Sequence, residues 1–356
     1  MIRRREFLAA LAAAAATPTL SWADAGNPAF LAAAKEADGS YALHGLAGDG
    51  ADLFRIPLPA RGHAGTAHPT APEAVAFARR PGTFGLVIDC VAGKVQAVLE
   101  SPEGRHFYGH GCFIAGGDIL CTAENDFATG SGVIGLWSRA QGYRRIGEIP
   151  SHAIGPHEIL ALEGDVLVVA NGGILTHPDH GREKLNIPTM RPSLAYLTPD
   201  GTLLDMVELP EDLHRNSIRH IAARPDGLVA FAMQWQGEPM DGVPLLGLHR
   251  RGGIAQLAEA DLGEQLAMQG YAGSVAFDGS GDFVGITSPV GGRLHVFDAD
   301  GGFVASHARS DICGLARRDS GFLATDGQGG IWQAGVQSLG QGQRFGCHWD
   351  NHVVTL

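Results

Sequence analysis

Arg293-Leu294-His295-Val296-Phe297-Asp298 is a short apolar run that ends just before the turn residues Asp300-Gly301-Gly302. A run of this length is typical of a β-strand, and Asp-Gly is typical of a tight hairpin turn. The same pattern recurs in Phe84-Gly85-Leu86-Val87-Ile88-Asp89, Asp165-Val166-Leu167-Val168-Val169-Ala170 and Gly227-Leu228-Val229-Ala230-Phe231-Ala232. Further turns are supplied by Asp200-Gly201, Asp226-Gly227 and Asp326-Gly327. The sequence therefore predicts an all-β fold.

A coarse repeat groups these runs into units of about 40 to 60 residues, the size of a four-stranded propeller blade. The units begin near His63 to His68, His106 to Phe113, Gly155 to Leu160, Ser217 to Ile221, Gly273 to Phe277, Ile312 to Leu315 and Cys347 to Val353. These seven starts predict a seven-bladed β-propeller. An eight-bladed propeller and a pair of β-sandwiches remain as alternatives.

The two ends of the chain are predicted to close the ring together. Arg344 to Leu356 would supply the innermost strand of a blade whose outer strands come from Tyr41 to Pro57, which protects the sheet edges. Beyond the N-terminal segment, helical spacing is clearest at Pro28 to Glu36 and at Ala258 to Met268. We therefore expect a short linker or helix at residues 24–39 and the propeller at residues 40–356.

The first 23 residues have the features of an export signal. Arg3-Arg4-Arg5-Glu6-Phe7-Leu8 is a twin-arginine signature, an Ala-rich run follows it, and Ser21-Trp22-Ala23 is a small-x-small cleavage site. The alternative is an amphipathic helix with a basic start. The signal predicts a periplasmic protein exported by the twin-arginine pathway. No later segment is long and apolar enough to span a membrane, so we expect a protein that is not membrane-spanning.

Composition excludes several classes of protein. The 356 residues include 26 Lys and Arg against 38 Asp and Glu, a net charge of -12, which argues against a nucleic-acid partner. At 45% hydrophobic residues the chain is too apolar to be disordered. It has no Gly-x-Ser-x-Gly elbow, phosphate-binding glycine loop or Cys-x-x-Cys-His motif. We therefore expect no nucleotide and no covalent haem.

The chain has five cysteines, so at least one would remain unpaired in an oxidising compartment. Cys112 and Cys121 flank a turn at residues 115–118 and would face each other if a hairpin folds there, so a disulfide is one alternative. A Cys313–Cys347 disulfide is another. The third is that one or more cysteines, Cys90 included, bind a metal as thiolates.

Histidine is concentrated at the unit starts, and this is the main functional signal. Equivalent residues of propeller blades converge on the central channel, so several imidazoles would meet there. Neutral imidazole nitrogens bind iron(II), copper and zinc. We predict a metal site, for an iron or copper ion, with ligands drawn from His63, His68, His106, His110, His157, His220, His348 and His352.

Each histidine also has a purely structural alternative, a hydrogen bond to a backbone carbonyl between blades. Other polar candidates for the site are Arg105, Glu124, Asp126, Glu158, Asn171, His177 and Arg219, with Asp350 as a further carboxylate. For carboxylates such as Glu124 and Asp126, surface ion pairs and turn caps are the alternative role. The polar loop from Asn171 to Pro178, with Arg182, Lys184 and Asn186 after it, is longer than a hairpin needs, and such loops often carry function.

Four segments resemble a family of twin-arginine-exported proteins known only as a domain of unknown function. They are Arg105-His106-Phe107-Tyr108-Gly109-His110-Gly111, Gly155-Pro156-His157-Glu158, Ala170-Asn171-Gly172-Gly173-Ile174 and Ser217-Ile218-Arg219-His220. The resemblance extends over nearly the whole chain after residue 42. It implies a propeller related to the YVTN and WD40-like group. Family genes often neighbour those of imelysin-type iron-uptake proteins and di-haem thiol-oxidoreductase-like proteins, which implies periplasmic iron handling with a redox step.

The sequence is therefore consistent with three alternative functions. The first is a periplasmic protein that holds iron or copper at a His-rich channel mouth and takes part in iron uptake or metal handling. The second is a metal-dependent oxidoreductase, or a lactonase-like hydrolase, that uses an open coordination position. The third is a metal-free scaffold that docks imelysin-like or di-haem partners.

Overall fold

A computed structural model describes residues 20–78, 83–181 and 183–356 of the chain, apart from the side chain of Gln341. Residues 1–19 of the predicted export signal, with its twin-arginine motif, lie outside the described residues, as does Arg182 of the polar loop. Within the described part, 28 strands form seven four-stranded antiparallel sheets.

We number the blades from the sheet that follows the first three strands. Blade 7 contains the first three strands, β1 (Phe30–Glu36), β2 (Tyr41–Leu46) and β3 (Asp52–Leu58). Blade 1 consists of β4 (Gly62–Ala67), β5 (Glu73–Ala78), β6 (Phe84–Asp89) and β7 (Lys94–Glu100), and blade 2 of β8 (Arg105–Ile114), β9 (Ile119–Asp126), β10 (Ser131–Ser138) and β11 (Arg144–Pro150). Blade 3 consists of β12 (Pro156–Ala161), β13 (Leu167–Asn171), β14 (Ser193–Leu197) and β15 (Leu203–Glu208). Blades 4 to 6 and the last strand of blade 7 complete the chain: β16 (Asn216–Ala223), β17 (Val229–Trp235), β18 (Leu246–His249) and β19 (Gln256–Ala258); β20 (Ser274–Phe277), β21 (Phe283–Ser288), β22 (Arg293–Asp298) and β23 (Phe303–Ala308); β24 (Ile312–Arg318), β25 (Gly321–Asp326), β26 (Gly330–Ala334) and β27 (Leu339–Arg344); and β28 (Cys347–Thr355).

The seven sheets form a closed ring. The innermost strands β4, β8, β12, β16, β20, β24 and β28 each contact the next, and β28 contacts β4 again. In blade 7 the strand order is β28-β1-β2-β3, so the last strand of the chain pairs with the first. The predicted seven-bladed propeller, its seven blade starts and its closure by the two chain ends are confirmed.

The prediction for residues 24–39 was wrong in one respect. Residues 30–36 form strand β1, not a helix or linker, and β1 pairs with β2 on one side and β28 on the other. Its alanines favour a helix in isolation, but pairing on both sides overrides that preference. The propeller thus begins at Phe30, ten residues before the predicted boundary.

Helices are short within the described residues. One α-helix, Leu262–Ala267, lies inside the predicted helical stretch at Ala258 to Met268. The 3₁₀ turns are Trp22–Ala25, Ala115–Gly117, Arg139–Gln141, Glu163–Asp165, Pro178–His180, Ile187–Thr189, Glu211–Leu213 and Pro239–Asp241. None of these described helices is long and apolar enough to cross a membrane.

The core is divided among the seven interfaces between neighbouring blades. Each interface holds one cluster of buried apolar side chains. Val168 and Val169 show why the middle strands are apolar without alternation. Val168 packs toward blade 4 and Val169 toward blade 2, so both faces of β13 are buried.

The five cysteines are buried free thiols. Cys112 and Cys121 are cross-strand partners on β8 and β9, as the predicted hairpin requires, but they form no disulfide. Cys313 and Cys347 are also unlinked. Burial raises the pKa of Cys313 to about 12, so this thiol stays protonated at neutral pH.

Asp326 stabilises the turn between β25 and β26 by hydrogen bonds. Asp326→Asn should lower the free energy of unfolding by about 2 kcal/mol. Its buried carboxylate accepts hydrogen bonds from Arg309 Nε at 2.7 Å, Trp332 Nε1 at 2.8 Å and Gly330 N at 2.8 Å. Burial alone would raise its pKa, but these donors outweigh it and hold the pKa below 3.8. The carboxylate therefore contributes its full stability above pH 3.8 and loses it as the pH falls through the lowered native value.

Urea unfolding at neutral pH and at acid pH measures this contribution. The difference between wild type and Asp326→Asn should be constant near pH 7 and should shrink below pH 3.8. Asp298→Asn is the control, since Asp298 accepts backbone amides in the turn between β22 and β23 of blade 5. Equal losses in the two variants would contradict the role given to Arg309 and Trp332.

Candidate metal centre

Five imidazoles meet at the propeller axis, each from a different innermost strand. They belong to His63 of β4, His110 of β8, His157 of β12, His220 of β16 and His352 of β28. The His110 ring centroid lies 5.0 Å from that of His63, 4.8 Å from His157, 5.5 Å from His220 and 4.9 Å from His352. His220 and His352 are 4.6 Å apart although blades 5 and 6 separate their strands on the ring, so this contact crosses the axis. We call these five residues the histidine cluster.

Irregular strand pairing brings these side chains together. The pairing register shifts between Gly62 and Gly65 in β4, and between Phe107 and Gly111 in β8. Comparable shifts occur beside the other three cluster histidines, in β12, in β16 and where β28 pairs with β1. A bulge bends its strand and re-aims the side chains it carries, which is common next to functional sites. Here the bulges direct imidazoles into the channel.

The spacing of the ring nitrogens suits a metal ion. His63, His110 and His352 form one group, and His110, His157 and His220 form another, each with its ligand atoms within 4.8 Å of one another. Nitrogens on opposite sides of an ion bound at about 2.1 Å lie about 4.2 Å apart. Small side-chain shifts would therefore bring either group to bonding distance. His110 belongs to both groups and is the central residue of the cluster.

The Glu158 carboxylate lies beside the Nδ1 atoms of two imidazoles of the cluster. Its Oε2 accepts from His220 Nδ1 at 3.2 Å and from Ile221 N at 3.1 Å, and its Oε1 lies 3.6 Å from His110 Nδ1. A carboxylate at Nδ1 fixes the tautomer that leaves the Nε2 lone pair for a metal. Burial would raise the pKa of Glu158, but His110 and His220 outweigh it and hold the pKa well below its usual range. Glu158 is therefore ionised at neutral pH.

Two ring nitrogens of the cluster are buried and not hydrogen-bonded within the described part of the chain. Among the described residues, His110 Nε2 and His157 Nδ1 have no hydrogen-bond partner although both atoms are buried. Burial, followed by the charge of Arg219, holds the pKa of His157 well below 6.5. Burial also lowers the pKa of His220, although Glu158 opposes the shift. These two imidazoles are neutral at neutral pH, which is the form that binds metals.

The sequence places this site within a family. The family model described as "Protein of unknown function (DUF1513)" matches residues 56–356, a segment that contains all five histidines of the cluster. The chain belongs to the DUF1513 family. No curated protein matches it. A solved structure titled "Kuenenia stuttgartiensis Hydrazine Synthase" is similar, with a TM-score of 0.59 over 86% of this chain and 89% of that chain. Because the two are 12% identical, the likeness shows the fold alone.

Gly109 makes room for His63 in this DUF1513 chain, and Gly109→Ala should weaken metal binding about tenfold. Gly109 has a φ of 97°, and a Cβ added there would overlap the His63 ring. Gly104→Ala is the matched control, because Gly104 also has a positive φ, 79°, but has no heavy atom within 4 Å of an added Cβ. Metal titration and thermal melting of both variants separate the two effects. Both should lose stability, and only Gly109→Ala should lose metal affinity; equal metal affinities would contradict the role given to Gly109.

Three of the eight predicted histidines lie outside the cluster, which corrects the expectation that all eight converge. His68 Nδ1 accepts from Thr70 N and Ala71 N in the loop after β4. The His106 ring nitrogens are 3.2 Å from Phe107 O and 3.1 Å from Asn125 Nδ2. His348 is exposed, with Nδ1 2.6 Å from Gly327 O. All three therefore contact other groups of the protein, and of the three His348 makes the predicted contact with a backbone carbonyl of the neighbouring blade.

Most of the other polar candidates also have structural roles. Arg105 pairs with Glu148, and the buried Glu124 pairs with Arg145 at 2.6 Å. Asp126 and His177 accept backbone N–H groups in turns. Asn171 donates from Nδ2 to a backbone carbonyl and to a serine hydroxyl. Asp350 forms a two-point ion pair with Arg61. Of the predicted polar residues, the structure brings Glu158 and Arg219 to the cluster.

Two cavities adjoin the cluster. The first, which we call the inner channel, has a volume of about 420 Å³ and reaches His110, Glu158, His220 and His352. The second, which we call the polar pocket, has a volume of about 160 Å³. It is lined by His63, His157, His220, Tyr108, Ile174, Thr176, Lys184, Arg219, Gln234, Tyr271 and Asn351. The cluster is thus accessible from two sides.

Sequence reasoning missed part of the polar pocket. It named Arg219 as a site residue and Lys184 as part of a functional loop, and both line the pocket. It did not single out Gln234, Tyr271 or Asn351. Gln234 pairs with Tyr271 through an isolated bridge between distant segments, and no local pattern signals such a contact.

Proposed function

We propose that the protein binds one transition-metal ion, iron or copper, at the histidine cluster. The convergence of five imidazoles from five blades, with Glu158 behind two of them, is the observation that carries this proposal. Buried polar side chains normally satisfy their hydrogen bonds within the protein. Two buried nitrogens of the cluster, His110 Nε2 and His157 Nδ1, have no hydrogen-bond partner among the described residues, which is costly unless a ligand uses their lone pairs.

The donor set favours a transition metal over calcium or magnesium. Magnesium and calcium prefer oxygen ligands, whereas imidazole suits iron, copper, nickel and zinc. Among the described residues, neither ligand group includes a cysteine or a carboxylate. The thiolate alternative is therefore not part of this proposal.

The second candidate is a metal-dependent oxidoreductase. The two cavities beside the cluster favour it, because a small substrate could reach the ion from one side while the protein holds it from the other. Turnover of the metal-loaded protein with iron(II), copper(I) and simple phenols tests this candidate. The metal-binding proposal does not depend on its outcome.

We further propose that this chemistry serves metal handling, including iron uptake, in the periplasm after twin-arginine export. The basic, apolar and small-residue order at the N-terminus and the family resemblance support this extension. Replacing Arg4 and Arg5 by lysine should stop export in the native host. Recovery of an imelysin-like or di-haem protein with the exported protein from the periplasm would identify the partner.

Metal content tests the central proposal directly. Untagged protein exported in its own host should contain close to one equivalent of iron or copper by mass spectrometry. Metal added to stripped protein should raise the melting temperature with a concentration dependence, since a ligand at 100 times its Kd stabilises by about 2.7 kcal/mol. Less than a tenth of an equivalent after anaerobic reloading would overturn the proposal and favour the docking scaffold.

A further inference from the structure

The polar pocket differs in chemistry from the inner channel. The inner channel is lined largely by small apolar side chains such as Ala64, Ala222 and Ala276. The polar pocket presents three cluster histidines together with two cations, Arg219 and Lys184. None of its eleven described lining residues is acidic. An anionic ligand that approaches the metal would therefore favour the polar pocket over the inner channel.

The bulge in β16 places a cation directly beside a metal ligand. Successive residues of a regular strand point to opposite faces. Arg219 and His220 nevertheless both line the polar pocket, because the pairing register shifts between Ile218 and His220. Arg219 packs against Gly172, where an added Cβ would come within 3.3 Å of its Nη1. The loop after β13 thus supports the guanidinium at the pocket wall.

An occupied cluster would make this wall of the pocket more attractive to an anion. A divalent ion and the Glu158 carboxylate carry a net charge of +1 between them, and the side chains of Arg219 and Lys184 also line the pocket. The low dielectric of a partly buried site strengthens the attraction between these groups and a negative charge. A small anion bound between the cations and the metal is therefore favoured.

We propose that the polar pocket binds a small carboxylate anion beside the metal, with Arg219 and Lys184 as its cationic anchors. This inference rests on the proposed metal site, which forms one wall of the pocket. The planar guanidinium of Arg219 matches the two oxygens of a carboxylate. Tyr271 and Asn351 also line the pocket, and their hydroxyl and amide groups are further donors.

The volume of the pocket limits the ligand. It measures about 160 Å³, close to the cavity of about 150 Å³ that accepts benzene. A mono- or dicarboxylate of two to four carbon atoms fits this space. Lys184 is exposed and hydrogen-bonded to Gln236, so it lies at the rim, whereas Arg219 is half-buried. Arg219 should therefore contribute more to binding than Lys184.

Malonate is the probe, and malonamide is its neutral counterpart of similar shape. Calorimetric titration of copper(II)-loaded protein should show one malonate site with at least tenfold weaker binding of malonamide. The copper(II) EPR spectrum should change with malonate, because the anion lies next to the ion. Copper retained after ultrafiltration shows that malonate has not removed the metal. Equal binding of malonate and malonamide would overturn the proposal.

Three variants locate the site. Arg219→Gln should weaken malonate at least tenfold and Lys184→Met about threefold, since exposed charges contribute less. Arg215→Gln is the matched control: Arg215 lies near the start of the same strand, stacks on Trp235 and does not line the pocket. When malonate is absent, Arg219→Gln and Lys184→Met should bind copper(II) at least as tightly as wild type, because each removes a positive charge beside the ion, and Arg215→Gln should bind it as wild type does. Wild-type malonate affinity in Arg219→Gln would overturn the assignment.

The same titration on metal-free protein separates this inference from the metal proposal. If the cluster binds no metal, Arg219 and Lys184 should still bind malonate weakly, and Arg219→Gln should abolish that binding. If copper(II) binds but malonate does not, the metal site stands and the anion site is excluded. The two proposals can therefore fail independently.

Discussion

Replacing His110 by alanine is expected to reduce metal affinity about 60- to 700-fold. A structural zinc site contributes about 10–16 kcal/mol over four ligands, which is about 2.5–4 kcal/mol for each ligand. Every 1.4 kcal/mol changes an affinity about tenfold. His110 should have the largest effect in the cluster, because it is the member shared by both ligand groups. Competition titration with a chromophoric chelator measures the loss.

The matched control lies four residues earlier in the same strand. His106 is also buried, but it hydrogen-bonds to Asn125 and lies outside the cluster. His106→Ala should lower the melting temperature and leave metal affinity unchanged. His352→Ala and His348→Ala form a second pair with the same spacing, of which only His352→Ala should lose affinity. Equal affinities in His110→Ala and His106→Ala would exclude the cluster as the metal site.

The fold was largely predictable because its signals are local. Runs such as Leu167 to Ala170 and turns such as Asp300-Gly301 mark each hairpin wherever it lies in the ring. Blade starts could be located because the inner strands follow one another at blade-sized steps. Strand β1 was missed for the opposite reason. Its alanines carry no local β signal, and β1 is a strand because it pairs with β2 on one side and, at the far end of the chain, with β28 on the other.

The sequence predicts that histidines converge at the axis, but it does not show which histidines do so. His106 and His110 are four residues apart, so in a regular strand both would point to the same face. The register shift between Phe107 and Gly111 separates them, and only His110 reaches the axis. A shift of one residue reverses the face of every side chain that follows, and bulges leave no reliable mark in a sequence. This is why eight histidines were predicted and five converge.

Glu158→Gln is expected to weaken metal binding about 10- to 100-fold, the range for losing a partner of a ligating histidine. The Glu158 carboxylate accepts from His220 Nδ1 and faces His110 Nδ1 with its other oxygen. A glutamine can accept from one of these nitrogens, but its NH₂ must donate to the other. That second imidazole must then carry its proton on Nε2, where the metal would bind. The substitution thus removes a ligand without removing a histidine.

Histidine tautomers distinguish this mechanism from general destabilisation. Nitrogen-15 chemical shifts of the metal-free protein should show His110 and His220 protonated at Nδ1 in wild type, and one of them protonated at Nε2 in Glu158→Gln. Glu124→Gln is the control, since Glu124 is buried in blade 2 and paired with Arg145 outside the cluster. Glu124→Gln should lower the free energy of unfolding. It should leave the tautomers of His110 and His220 and the metal affinity unchanged. If Glu158→Gln changed the tautomer of one histidine but bound metal as wild type does, the ion would not depend on the Nε2 atom of that histidine, and the other four imidazoles of the cluster would have to hold it.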